Sequence, residues 1–237
     1  MRLYAPPGVF SPLSDTRLLA ERLAREPRLR GGAVLDLCTG SGALALVAAR
    51  EGAADVTAVD ASRRAVLAVR LNARLNGLSV RALRGDLFEP LGGARFDVIV
   101  SNPPYVPGGD AGPAAGEPRR GFDAGDDGRV LIDRVCAGLP AHLRPGGVAL
   151  IVHSSVCGEQ KTLDALRSGG LEAEVVERRR GPLGPVMRAR APELRARGLP
   201  VGEEEEVLVL RAELGQSPSR SPSRGTAAGS TLRAAPR

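Results

Sequence analysis

Apolar residues occur along this chain in short, dense runs separated by longer amphipathic stretches. Ala33–Leu37 (AVLDL), Asp55–Asp60 (DVTAVD), Phe96–Val100 (FDVIV) and Val148–His153 (VALIVH) are short and bounded by turn-forming residues, so each predicts a strand. SVRALRG before Asp86, EAEVVERR after Leu171 and EVLVLRAEL up to Leu214 are three further strand candidates. The stretches between them predict helices. One runs from a Ser14 or Asp15 cap to about Arg25, with Leu18, Leu19 and Leu23 on one side. Another lies in GALALVAAR, and a third runs from a Ser62 cap to Asn76-Gly77. Two more lie at Gly128–His142 and Glu159–Arg167. Strands alternating with helices imply βαβ units, and right-handed crossovers then imply an α/β, doubly wound, mostly parallel sheet.

The ends of the chain and one internal stretch stand apart. Residues 1–14 are rich in Pro and Gly and read as an extended arm; residues 15–214 form the domain. Residues 215–237 are low in complexity, carry four arginines and no acid, and read as a disordered tail. Residues 180–206 read as a long insertion loop ending in a solvated run of glutamates. The formal charge of +6 invites a nucleic-acid partner, yet without the tail only +2 remains. Three scattered cysteines without a CxxC pair fit a reducing cytosol, and no apolar run approaches a membrane span or a signal segment.

The candidate chemistry gathers at the expected carboxyl ends of the strands. The first strand carries Asp36 and runs into Cys38, Gly40 and Gly42, a turn that misses the dinucleotide fingerprint because Ala45 stands where its third glycine would be. The second strand ends in Asp60, and Asp86 follows the third. Each acid alone reads as a cap or turn former. Together with the glycines they describe a nucleoside-bearing cofactor across the sheet edge. The fourth strand stops at Asn102-Pro103-Pro104-Tyr105, because neither proline can donate to a ladder. Here the Asn102 side-chain carbonyl and the Pro103 backbone carbonyl can accept from one NH2 group, with Tyr105 offering a face for stacking. Such a site suits a planar amine or amide.

LDLCTGSG, Asp60, Asp86 and NPPY together resemble the class I S-adenosylmethionine-dependent methyltransferases that modify planar nitrogens. Within that class the chain is most similar to the HemK/PrmC group, which methylates the glutamine amide of the GGQ motif in translation release factors. GVFSPLSDTRLL and EPRRGFDAGDDGRVLIDRV resemble segments of its short, single-domain relatives, and the resemblance spans about Val9–Val176 and the last strand. It implies a Rossmann-like sheet of seven strands with the last antiparallel, and S-adenosyl-L-methionine as cofactor. It also implies that Asp36 and Gly40 face the methionine part, Asp60 the ribose and Asp86 the adenine. Cys38, Gly42 and Thr16 complete the cofactor set; Asn102, Pro103 and Tyr105 form the catalytic set, with Pro104 and Asp15 beside the acceptor. The implied partner is a protein such as a release factor, with the need for a small activator subunit left open. Two alternatives stand beside this reading: a nucleic-acid N-methyltransferase acting on adenine N6 or guanine N2, and a non-catalytic cofactor-binding assembly module. The chain departs from the pattern in carrying Cys38 for the usual first glycine of the cofactor loop, in lacking the bacterial group's N-terminal helical domain, and in the insertion at residues 180–206.

Overall fold

The computed structural model describes residues 1–108 and 124–216. Residues 217–237 of the proposed tail and residues 117–123 of the Gly-rich segment lie outside them. In chain order the elements are α1 (Ser14–Ala24), β1 (Ala33–Leu37), α2 (Ala43–Arg50), β2 (Asp55–Asp60), α3 (Arg63–Leu75), β3 (Arg81–Arg84) and β4 (Phe96–Ser101). They continue with α4 (Val130–His142), β5 (Leu143–Ser154), α5 (Glu159–Ser168), β6 (Leu171–Pro182), α6 (Pro185–Ala196) and β7 (Glu204–Leu214).

The seven strands lie in the order β3-β2-β1-β4-β5-β7-β6. Only β7 runs antiparallel, pairing Leu150 with Arg211 on one side and Ala173 with Ala212 on the other. Period-two alternation explains the layering. Val34, Val98, Val100, Val148, Leu150 and Val152 face α1, α2 and α3 through Leu19, Leu23, Leu44 and Val69. Leu35, Leu37, Ile99 and Ile151 face α4 and α5 through Ile132, Leu139, Leu163 and Leu166. The chain leaves β1 toward β2 on one side and returns with β4 on the other. A crevice therefore opens at the carboxyl ends of β1 and β4.

Three expectations are corrected. Residues 180–206 are not a loop: they complete β6, form α6 and begin β7. Pro185 occupies the first turn of α6, where its missing N–H costs nothing. Met187, Ala191 and Leu194 then repeat at helical spacing and pack with Leu183, Val201 and Val106 into a small separate core. Nor are the last three glutamates of the run part of a loop. Glu204 pairs with Pro182, Glu205 with Gly181 and Glu206 with Arg180. Arg180–Glu204 (2.7 Å) and Arg178–Glu206 (3.0 Å) ion pairs offset the charge of adjacent acids in that strand. Third, the N-cap of α1 is Leu13, with no side-chain cap, because Asp15 is turned toward other partners.

His153 is fully buried in β5. Its Nδ1 lies 2.9 Å from the Ser154 carbonyl oxygen, which can only accept, so Nδ1 carries the proton. Nε2 has no partner among the described residues. Burial pushes the imidazole down to about 4, with the Arg129 charge acting in the same direction and the Ser154 hydrogen bond opposing it. The folded pKa lies below the unfolded value near 6.5, so His153 contributes stability above that pH and loses it as pH falls toward 4. Between pH 7.5 and pH 5 the unfolding free energy of the wild type should fall by ~2 kcal/mol more than that of His153→Gln. Urea titrations at the two pH values check this, and parallel decline in both proteins would refute it.

Candidate functional site

The loop after β1 is shaped by three left-handed residues, Cys38 (φ 58°), Gly40 (φ 55°) and Gly42 (φ 86°). Cys38 holds this conformation with a side chain, an uncommon strain that the surrounding bonds must offset. Asp36 supplies two of those bonds from below: its Oδ2 accepts from Thr39 Oγ1 (2.5 Å) and from the Ala45 amide (3.0 Å). Asp36 is completely buried, and burial pushes its carboxyl up to about 7. Gly42 serves packing, since a Cβ there would meet Val69 at 3.0 Å.

Asp60 at the end of β2 ties the loop to the next helix. One oxygen accepts from the Gly40 amide and the other from the Ser62 amide, each at 2.9 Å. Burial raises its carboxyl despite these bonds. Asp86 is paired with Arg134 at 2.8 Å, both about half exposed.

At the end of β4, Ser101 Oγ donates to the Leu37 carbonyl (3.1 Å) and fixes this strand against β1. Asn102 follows. Its Nδ2 donates to Asp15 Oδ2 (3.2 Å) and to Thr16 Oγ1 (3.0 Å). The Tyr105 hydroxyl donates to the same Asp15 oxygen at 2.9 Å. A carboxylate can only accept, so the amide nitrogen of Asn102 must face α1, and its carbonyl oxygen takes no hydrogen bond among the described residues. Burial, then the Asp15 charge, raises the Tyr105 hydroxyl well above its ordinary value, so it stays a donor.

The turn is braced from behind. Cys157 Sγ donates to the Tyr105 carbonyl (3.1 Å). Gly128 approaches that carbonyl so closely that a Cβ would stand 2.2 Å from it. From α6, Arg190 donates to the Pro107 carbonyl (2.9 Å), and Arg197, just past its end, donates to the carbonyls of Gly108 and Asp126.

All of this surrounds one cavity of about 570 Å³. Of the residues singled out in the sequence, Asp15, Cys38, Gly40, Asp60, Asp86, Asn102, Pro103, Pro104 and Tyr105 line it. Asp36, Gly42 and Thr16 do not; they lie behind its wall and shape the loop or hold Asn102. The Gly8–Phe10 stretch of the arm lines it as well, and pattern reading did not single out Arg134 or a wall of Pro185, Val186, Met187, Glu205 and Val207. The helical spacing of Met187, Ala191 and Leu194 was the available signal for that wall, masked by Pro185 and Pro192.

The chain matches the Methyltransferase small domain family over residues 1–117. It is 34% identical over 187 residues to a putative protein N5-glutamine methyltransferase of Methanocaldococcus jannaschii, covering 79% of this chain and 93% of that protein. It is 38% identical over 152 residues to the release factor glutamine methyltransferase of Geobacter sulfurreducens, covering 61% of this chain but only 53% of that one. Among solved structures, the T. thermophilus 16S rRNA N2 G1207 methyltransferase RsmC, in complex with AdoMet and guanosine, superposes with a TM-score of 0.59 and 29% identity. That match covers 88% of this chain and 46% of RsmC. No described helix is long and apolar enough to cross a membrane.

Proposed function

Because the chain belongs to the S-adenosylmethionine-dependent protein glutamine methyltransferases, we propose that it methylates the side-chain amide nitrogen of a glutamine in a translation release factor. The observation that carries this reading is the orientation of Asn102, whose amide nitrogen is held by Asp15 and Thr16 so that its carbonyl remains available. A free carbonyl beside a proline carbonyl is an acceptor pair matched to the two N–H bonds of a primary amide.

The residues present fit the cofactor. The cavity volume is in the range of ordinary small-molecule sites, and its lining carboxylates stand at successive strand ends. On this reading Gly40 lets the backbone approach the methionine part, Asp60 accepts from the ribose hydroxyls, and Asp86 lies toward the adenine. When bound, S-adenosylmethionine supplies a methyl group made electrophilic by its sulfonium. An amide nitrogen is a weak nucleophile, because its lone pair is delocalised into the carbonyl. The Asn102 and Pro103 oxygens pin both N–H bonds and direct the lone pair out of the amide plane. They also stabilise the positive charge that develops on nitrogen. The N-methylated amide cation is a strong acid and passes its proton to water, so no strong base is needed.

The same geometry disfavours a nucleic-acid acceptor. Asp15, Asp60, Asp86 and Glu205 line the cavity, and the only lining cation among the described residues, Arg134, is paired with Asp86. A phosphate backbone would meet net negative charge there. The reading places the enzyme in the cytosol, where its substrate is made and where Cys38, Cys136 and Cys157 remain free thiols.

Transfer of radiolabel from S-adenosylmethionine tests the proposal. Label should enter a release factor carrying Gly-Gly-Gln and be lost when that glutamine is changed to glutamate. Label entering RNA instead would overturn it.

A further inference from the structure

Four consecutive glutamates, Glu203–Glu206, lead into and begin β7, and three of them are matched by arginines. Glu203 pairs with Arg195 (2.9 Å), Glu204 with Arg180 (2.7 Å) and Glu206 with Arg178 (3.0 Å). Glu205 has no cationic partner among the described residues. Strand alternation turns it to the opposite side from Glu204 and Glu206, into the wall of the cavity that also holds Asn102 and Tyr105. One of its oxygens, Oε1, accepts from the Gly184 amide at 2.9 Å, at the start of α6. That bond fixes the side chain, and its other oxygen has no hydrogen-bond partner among the described residues. The Glu205 charge reaches Tyr105, where it is one of the causes that raise the hydroxyl. Its neighbours in the wall, Pro185, Val186, Met187 and Val207, bring no side-chain donor to satisfy it.

A fixed, half-buried carboxylate with no counter-charge among the described residues is costly unless something that binds there provides one. In the reading above the cofactor's ribose and adenine fall to Asp60 and Asp86 and its methionine part to the loop at Gly40, whereas the Glu205 charge acts on Tyr105, a residue of the acceptor set. We propose that Glu205 is a specificity-determining residue that pairs with a cationic side chain of the acceptor polypeptide, a few residues from the target glutamine. This rests on the glutamine-acceptor reading and deepens it. Asn102 and Pro103 select the group that is methylated; Glu205 selects the sequence around it.

The pair is a charge-assisted hydrogen bond in a partly dry wall, where discrimination against a neutral isostere should be about tenfold. The test uses peptides of about a dozen residues centred on Gly-Gly-Gln, with one arginine placed in turn at each neighbouring position, and citrulline as its uncharged isostere. For the wild type, kcat/KM should favour arginine over citrulline by about tenfold at one or two adjacent positions, through KM. In Glu205→Gln, which can keep the Gly184 bond, that ratio should fall to about one. In Glu205→Lys the preference should invert toward a glutamate at the same position. Melting temperature and cofactor Kd, measured alongside, separate a specificity role from a structural one. A wild-type ratio of one at every position, or a ratio that survives in Glu205→Gln, overturns the proposal while leaving glutamine methylation intact. Failure of the wild type to methylate any of these peptides or a whole release factor overturns the acceptor reading, and this proposal with it.

Discussion

Replacing Asn102 by alanine should lower kcat for the glutamine acceptor by on the order of 10²–10³ while changing the Kd for S-adenosylmethionine by less than about threefold. The split follows from where Asn102 stands. Its nitrogen is consumed by Asp15 and Thr16, so the part left for function is one carbonyl oxygen. On the proposed reading that oxygen is placed before the acceptor arrives, and its interaction strengthens as the amide nitrogen acquires positive charge. The loss therefore falls on the transition state more than on ground-state binding. The cofactor contacts assigned above come from β1, β2 and β3, and none passes through Asn102. Stopped-time assays at saturating acceptor, with calorimetry for the cofactor, measure the two effects separately. An Asn102→Ala enzyme with normal turnover would remove this residue from the chemistry.

Much of this arrangement is written locally in the chain. β1, β2 and β4 are short apolar runs whose every second residue meets the same helical layer, so period and length were enough to find them. Ser62 caps α3 through the Ala65 amide, as a serine before a helical repeat predicts. Asp60 and Asp86 line the cavity because strand ends in a parallel sheet converge on one edge. Side-chain orientation was not legible in the same way. Asp36 has the composition of a ligand contact but is completely buried under the loop it stabilises. Ser14 and Asp15 are good capping residues, yet Asp15 finds its partners at Asn102 and Tyr105, some 90 positions away in sequence. Pro185 and Pro192 suggested a loop, but the first sits at the helix start and the second is tolerated by a helix anchored through Met187 and Leu194. Glu205 could not be told from its three neighbours until the register of β7 against β6 was known. For Asp15 and Glu205 a partner distant in sequence decides the orientation, and no local pattern encodes it.

Asp15 connects these observations to the reaction. Its Oδ2 receives both Asn102 Nδ2 and the Tyr105 hydroxyl, and its Oδ1 receives the Thr16 amide at 2.6 Å. Both oxygens are committed to the protein, so on the proposed reading Asp15 is a positioning residue that fixes the Asn102 amide with its carbonyl toward the acceptor. Without it, the amide of Asn102 can rotate by half a turn and present NH2 where an acceptor is required. The Tyr105 ring loses its tether at the same time. Asp15→Ala should therefore lower kcat by on the order of 10². Asp15→Asn should lose about tenfold, because a side-chain amide can accept from Asn102 and Tyr105 only by turning its own NH2 toward the Thr16 amide. The decisive measurement is the double-mutant cycle. If Asp15 works through Asn102, adding Asp15→Ala to Asn102→Ala should cost no more than about threefold further, since the group it orients is already gone. Two losses that simply multiply would mean that Asp15 touches the acceptor itself, and a drop in melting temperature that tracks the lost rate would reduce it to a structural contact.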